Sequence, residues 1–299
     1  MSFRSIIISN SASLSVKNNN LVINNDDDYR IPIEDIAVLL IEGVAVNLTN
    51  KLLSRLSENN VATIICNEKH LPTTIVLPLN IHHRSYKVLK NQLNQSAAFS
   101  KRIWQSIVKQ KLYNQGKCLE ILKLKGYDFL KELSLSVESG DKGNKEAIGA
   151  KYYFKALFGE NFTRDDCNGI NSALNYGYTI IRSAVARTLV MYGFNTTLGV
   201  NHCNELNSFN LADDFIEPFR PIVDLWVYQN IGYDDELTKE YRIALVDLLN
   251  CECVINNQSH SVLNAIDKMI SSYTTACNKK EYRALNLPII KPIEYHSYE

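Results

Sequence analysis

The chain has no net charge. Its 32 lysines and arginines balance 32 aspartates and glutamates across 299 residues. A uniformly basic coat and an acidic, solvating, disordered chain are both excluded. Proline is scarce, and none falls between Pro78 and Pro218, so the middle of the sequence is free to run in long helices. No apolar run reaches the roughly 18 residues of a membrane span. The opening MSFRSIIISNSASLSVKN has a short β-branched run broken by Ser and Asn. It lacks a small-residue cleavage motif, so no secretory signal is expected. A cytoplasmic protein without membrane contact is the expectation. Seven cysteines make no metal or disulfide pattern, because the one close pair, Cys251-Glu252-Cys253, is not C-x-x-C. Buried, reduced thiols are expected. The phosphate-cradling pattern G-x-x-x-x-G-K-[ST] is missing too, which argues against nucleotide hydrolysis as an energy source.

What charge there is lies unevenly. Residues 81–131 carry eleven Lys and Arg against two acids, Glu120 and Asp128, with His82 and His83 beside them. Residues 205–240 are acidic instead. A neutral chain with one basic stretch can still present a phosphate-binding face. The alternative is that these lysines coat solvated helix faces.

Hydrophobic periodicity divides the chain in two. Up to residue 80, short β-branched runs (RSIIIS, SLSVK, NLVIN) are punctuated by Asn and Ser, as in a meander of hairpins. IAVLLIE and VATIIC read as strands, with the helix TNKLLSRLSENN between them behind a Thr/Asn cap. KHLPTTIVLPLN is a last extended run. From residue 81 the steps become three and four, as in Phe99, Ile103, Trp104, Ile107 and Val108, and again in Leu174, Tyr178, Ile181, Val185 and Leu189. The expected class is α+β: a small β-rich domain, 1–80, followed by a larger all-α catalytic domain, 81–299, with an extended tail.

One stretch carries chemistry. NHCNELNSFNLADDFIEPFRPIVDLW (201–226) holds His202, then Asp214 and Glu217 at a spacing that shares a helix face. A third carboxylate, Glu146, opens the helix KEAIGAKYYFKALFG, where Gly149 and its alanine neighbours allow another backbone to come close. Carboxylates and a histidine brought together from different elements suit Mg²⁺ or Mn²⁺. Singly, each has an ordinary reading. Glu146 complements a helix dipole or caps it, His202 is a hydrogen-bonded structural histidine, and Asp214 and Glu217 begin a solvated helix. Pro218 and Pro221 leave open whether Glu217 starts a helix or lies in an irregular turn. Arg220 and Asp224 are spaced to pair with each other.

Four stretches together resemble the CRISPR-associated spacer-acquisition integrase, the universal nuclease of CRISPR adaptation. They are IPIEDIAVLLIEG followed by a helix and VATIICNEKHLP; NKEAIGAKYYFKALFG; LNYGYTIIRSAVARTLVMYGFNTTLGVNH; and FNLADDFIEPFRPIVD. They follow the family's order over most of the chain, and the opening residues resemble the branch found in type II systems. The resemblance implies Glu146, His202 and Glu217 as catalytic metal ligands for Mg²⁺ or Mn²⁺, with Asp214 in support. Aspartate is more usual at the position of Glu217. It further implies a homodimer, a small ferredoxin-like companion protein and further type II adaptation and effector proteins. The substrate it implies is double-stranded DNA, as protospacer and CRISPR repeat, joined by 3′-hydroxyl attack. Arg84, Lys101, Arg102 and Lys109 are the expected phosphate contacts. The rival readings are a metal-dependent hydrolytic nuclease, a non-catalytic DNA-binding scaffold, and a hydrolase using Cys203 with His202.

Overall fold

The structure is a computed structural model that describes residues 4–25, 28–77 and 83–296. It divides into two compact units, residues 1–83 and 84–299. The expected boundary at residue 80, and His82, lie outside the described residues.

The first unit contains β1 (Arg4–Ile8), β2 (Ala12–Lys17), β3 (Asn20–Asn24), β4 (Asp28–Pro32), β5 (Ile36–Ile41), β6 (Val46–Leu48), α1 (Asn50–Glu58), β7 (Ala62–Cys66) and β8 (Pro72–Val76). They form two sheets of order β1-β5-β7-β8 and β4-β3-β2-β6. The expected meander is made by β2, β3 and β4. Its first turn is Asn18-Asn19, at φ 50° and 60°, a left-handed pair that asparagine tolerates and a two-residue hairpin needs. β1 departs from the expectation and pairs in parallel with β5 in the other sheet. Its continuous Ile6-Ile7-Ile8 run lacks the alternation of a strand with one wet face. β5 is buried at every position. Thr49 caps α1 through Oγ1, which accepts from the Leu52 N–H at 3.3 Å. Leu52 and Leu56 then drop into a core with Leu14, Leu21, Ile33 and Leu39.

The second unit contains α2 (Ser85–Leu93), α3 (Ala97–Ile121), α4 (Tyr127–Leu135), α5 (Lys145–Phe158), α6 (Gly169–Met191), α7 (Asn210–Ile216), α8 (Arg220–Asn230) and α9 (Lys239–Asp247). After them come β9 (Cys251–Ile255), β10 (Gln258–Ser261), α10 (Val262–Lys279) and β11 (Ile289–Tyr295). The fold is therefore mixed α/β throughout, and the expectation of an all-α second domain is corrected. Its sheet has the order β10-β9-β11. Burial alternates along CECVI, so Cys251 and Cys253 are inward strand residues rather than incidental thiols. Asn256-Asn257, at φ 54° and 60°, makes the same left-handed turn as Asn18-Asn19. The extended tail supplies the third strand of this sheet.

Two long helices organise the unit. α3 buries the stripe Phe99, Ile103, Trp104, Ile107 and Val108, and α6 buries Leu174, Tyr178, Ile181, Val185 and Leu189. Among the described residues no helix is long and apolar enough to cross a membrane. Gly149 sets how closely α5 approaches α3, but a side chain rather than a backbone fills the space. A Cβ there would stand 2.1 Å from Leu112 Cδ2 and 3.2 Å from Leu133 Cδ2. Gly149→Ala is expected to cost about 1–3 kcal/mol by overpacking. It would also displace the start of α5. Urea unfolding with a crystal structure of the variant checks both effects.

Candidate active site

Lys111 is the hub. It follows Ile107 and Val108 along the buried stripe of α3, and its side chain is only 10% exposed. Its Nζ lies 2.7 Å from Glu146 Oε1 and 2.5 Å from Glu217 Oε2. A buried ammonium is tolerable only where such partners repay its lost hydration.

Separate devices bring the two glutamates there. Asp141 caps α5, with Oδ1 accepting from the Lys145 N–H at 2.9 Å and Oδ2 from the Glu146 N–H at 3.0 Å. The Glu146 side chain is thus relieved of capping and reaches Lys111. Glu217 begins a single 3₁₀ turn, Glu217–Phe219, that joins α7 to α8. Pro218 sits inside that turn and Pro221 in the first turn of α8, where a missing N–H does no harm. The question of helix or irregular turn resolves as a continuous helical path tightened at Glu217.

Arg220 closes the charge balance. Its Nε is 3.0 Å from Glu217 Oε1, so it pairs three residues back rather than with Asp224. Its guanidinium lies 4.6 Å from the centre of the Tyr178 ring. Tyr178 and Tyr153 both donate their hydroxyls to Asp224. Burial pushes the Asp224 carboxyl up to about 6, against the pull of those two hydrogen bonds. Burial also acts to raise Glu217, but Arg220 and then Lys111 outweigh it and hold the carboxyl below its usual range. Burial acts to lower Lys111, and Glu217 and Glu146 reverse that. Two carboxylates and two cations therefore share one cluster, in which Lys111 and Glu217 are buried and Glu146 and Arg220 are partly buried.

His202 comes from the loop between α6 and α7. Fully buried Asp214, on α7, holds that loop. Its Oδ2 accepts from the Val200 N–H at 2.5 Å and the Asn201 N–H at 3.1 Å. Its Oδ1 accepts from the His202 N–H at 3.1 Å and lies 2.7 Å from His202 Nδ1. Gly199 makes this wrap possible, since a Cβ there would stand 2.2 Å from the His202 carbonyl oxygen and 2.9 Å from Asp214 Oδ2. The Trp104 ring meets the imidazole edge-on at 5.7 Å between centres. From α2, Gln92 Nε2 donates to the Asn195 and Leu198 carbonyls, both at 2.9 Å. Nδ1–H donates to Asp214, which leaves Nε2 as the nitrogen not engaged by that carboxylate. The hydrogen bond to Asp214 is the main reason His202 is raised above its ordinary 6.5.

The structure thus brings Glu146 and Glu217 onto one point, with His202 close enough for its charge to act on Glu217. Among the described residues no three His, Cys, Asp or Glu side chains form a closed metal-ligand group. Lys111 stands where the two carboxylates converge. Asp214 and Glu217 divide the work, one holding the histidine and the other facing Lys111. Cys203 is exposed, and among the described residues its thiol makes no hydrogen bond to the His202 ring, so the thiol hydrolase reading lacks its nucleophile–base contact.

The basic segment does not make a single face. Lys111 is a site residue. Lys117 pairs with Glu120, and the ammonium groups of Lys117 and Lys131 both lie over the Tyr127 ring. Arg102 lies 5.8 Å from the centre of Tyr282, and Lys109 and Arg283 also act on that phenol. Arg102 and Lys109 each precede a site residue, Trp104 and Lys111, by two positions, so they point about 160° away around α3. Lys101 is exposed at the start of the same helix, its carbonyl accepting from the Gly140 N–H at 2.9 Å. Arg84 directly precedes α2 and is exposed.

Sequence reasoning missed Lys111, Arg220, Asp141 and Trp104 as parts of the site. The available signal was a lysine inside an apolar helical stripe, which calls for a buried partner.

A small β-rich unit followed by a larger, mainly helical one is an architecture that solved structures share. A chain of a casposase bound to integration product superposes with a TM-score of 0.74 at 18% identity, covering 93% of this chain and 91% of that one. A chain of a Cas6-RT-Cas1–Cas2 complex gives 0.73 at 18% identity, covering 97% of this chain and 36% of that one. These define the fold class. The profile of the family described as CRISPR associated protein Cas1 matches residues 6–244, and the chain belongs to that family. It is 44% identical over 307 residues to a protein named CRISPR-associated endonuclease Cas1 from Neisseria meningitidis serogroup C (strain 8013), with 100% of both chains covered.

Asp214→Asn is expected to bring the His202 titration midpoint down towards 6.5, read by histidine NMR. Because the folded value is raised, this contact stabilises most below 6.5 and the benefit fades as pH rises through the folded midpoint. The stability gap between wild type and variant should therefore narrow with rising pH. A midpoint that does not move would refute the assignment.

Proposed function

We propose that the chain is a metal-dependent DNA endonuclease and integrase of CRISPR adaptation, which inserts short DNA duplexes by 3′-hydroxyl attack on phosphodiesters. The observation that carries this reading is the convergence of Glu146 and Glu217 on one cation beside a histidine whose Nε2 is not engaged by Asp214. The donor set fits a divalent ion. Glu217 Oε2 is a buried, ionised carboxylate oxygen 2.5 Å from the Lys111 ammonium, a hard donor already set to face a cation. In this reading Glu146, His202 and Glu217 would hold Mg²⁺ or Mn²⁺. That ion, when bound, supplies charge neutralisation at the crowded phosphorus.

The chain's own residues set the stage. Asp214 keeps the imidazole in one tautomer and orientation. Arg220, braced by Tyr178, keeps Glu217 ionised inside the protein. Trp104 and Gln92 hold the histidine loop in place. In the exchange, the attacking 3′-oxygen bonds to phosphorus as the target strand's 3′-oxygen leaves. One phosphodiester replaces another, so no nucleotide need be spent. Arg84, Lys101, Arg102 and Lys109 contact phosphates remote from the reacting one, Arg102 and Lys109 from the side of α3 opposite Lys111. The working unit is a homodimer with the small ferredoxin-like companion. A solved relative's assembly, which includes Cas2, supports this reading.

The test joins a short duplex with free 3′ ends to a supercoiled plasmid bearing a repeat, with the companion protein present. Covalent joining should require Mg²⁺ or Mn²⁺, stop in EDTA, and fall by at least about a hundredfold in Glu146→Gln and His202→Ala. Nicking without joining would favour a hydrolytic nuclease. DNA binding with no metal-dependent reaction would favour a scaffold. Separately, Arg102→Gln and Lys109→Gln should each reduce the salt slope of duplex affinity by about 1, measured by fluorescence anisotropy.

A further inference from the structure

We propose that Lys111 is a built-in counter-ion of the candidate metal site, and that a divalent cation binds by displacing its ammonium from between Glu146 and Glu217. The proposal rests on the metal reading above and adds a residue that a ligand set of Glu146, His202 and Glu217 leaves out. Lys111 Nζ is 2.7 Å from one carboxylate and 2.5 Å from the other, inside the protein. Those are the oxygens a divalent ion needs, and an ammonium and a metal ion cannot share the point between them.

Charge makes the same case. With Lys111 and Arg220 present, Glu146 and Glu217 are already neutralised. Adding two positive charges to that set would leave a large uncompensated charge in a poorly solvated place. Release of the ammonium removes one of them. Arg220 cannot take this part, since it faces the other oxygen of Glu217 and is stacked on Tyr178. Without Lys111, Glu146 and Glu217 repel each other until the metal arrives. Lys111 is therefore a positioning residue that keeps the site assembled when no metal is bound and weakens metal affinity as a consequence.

The experiment titrates Mn²⁺ into the full-length protein and reads the free ion by electron paramagnetic resonance, for wild type, Lys111→Met, Lys111→Gln and Glu217→Gln. The Lys111 variants should bind Mn²⁺ at least about tenfold more tightly than wild type, a change worth about 1.4 kcal/mol. Their metal-free melting temperature should be lower, and Mn²⁺ should raise it by more than it raises that of wild type. On the wild-type protein itself, acylation of the Lys111 amine, followed by mass spectrometry, should be faster with Mn²⁺ than without. That measurement decides the matter if neither variant folds. Equal or weaker Mn²⁺ binding by the variants, or labelling that Mn²⁺ leaves unchanged, overturns the displacement proposal while the metal reading stands. Absence of Mn²⁺ binding that Glu217→Gln can abolish overturns both.

Discussion

The second unit depends on holding four charges together, two of them buried and two partly buried. An ion taken from water into a protein interior loses several kcal/mol of hydration, and only close partners return it. Glu146, Lys111, Glu217 and Arg220 do this for one another across α5, α3 and the junction of α7 with α8. Lys111 and Glu217 each have two partners, and the loss of either would leave Glu146 or Arg220 without its ion pair. The constraint therefore fixes where three elements meet, and it explains why the packing beneath is so close. Gly149 lets Leu112 sit against α5, and Gly177 lets Val223 of α8 sit against α6. Both contacts lie one or two helical turns from the charges they help to place.

A second constraint governs the histidine. Loop backbone near a site has N–H groups that need acceptors, and Asp214 serves three of them as well as the imidazole. One buried carboxylate thus folds a loop, selects a tautomer and aims a nitrogen. Asp214, expected from the resemblance to act in support, works as the organiser of this loop. The arrangement behind Arg220 follows the same logic. Asp224 takes two tyrosine hydroxyls, and one of those rings supports the guanidinium that holds Glu217. Groups one contact removed thus brace the cations and carboxylates that meet at the site.

Much of the fold was legible from periodicity. The strands of the first unit and the stripes of α3 and α6 stand where alternation and three-four spacing put them, because burial of one face is a local property of pattern. The partner of β1 was not legible, since parallel pairing joins residues far apart in sequence. The sheet of the second unit was missed because CECVI is short and its cysteines drew attention as thiols. The turn Asn256-Asn257 carried the same signal that was read correctly at Asn18-Asn19. At the site, Glu146, His202 and Glu217 were named from resemblance, while Lys111 was counted among surface lysines. Net charge along a segment says nothing of which side of a helix each lysine takes, and two residues' separation sends Lys109 and Lys111 to nearly opposite sides.

By itself the sequence determined the family and the two-part organisation and named the candidate site residues, because motifs and hydrophobic period are properties of short stretches. Only the tertiary structure decided which charges meet. Ion pairs and hydrogen bonds act over a few ångströms, and the partners of Lys111 are 35 and 106 positions away along the chain. The competition between hydration and pairing that sets their charge exists only once the helices have closed around them.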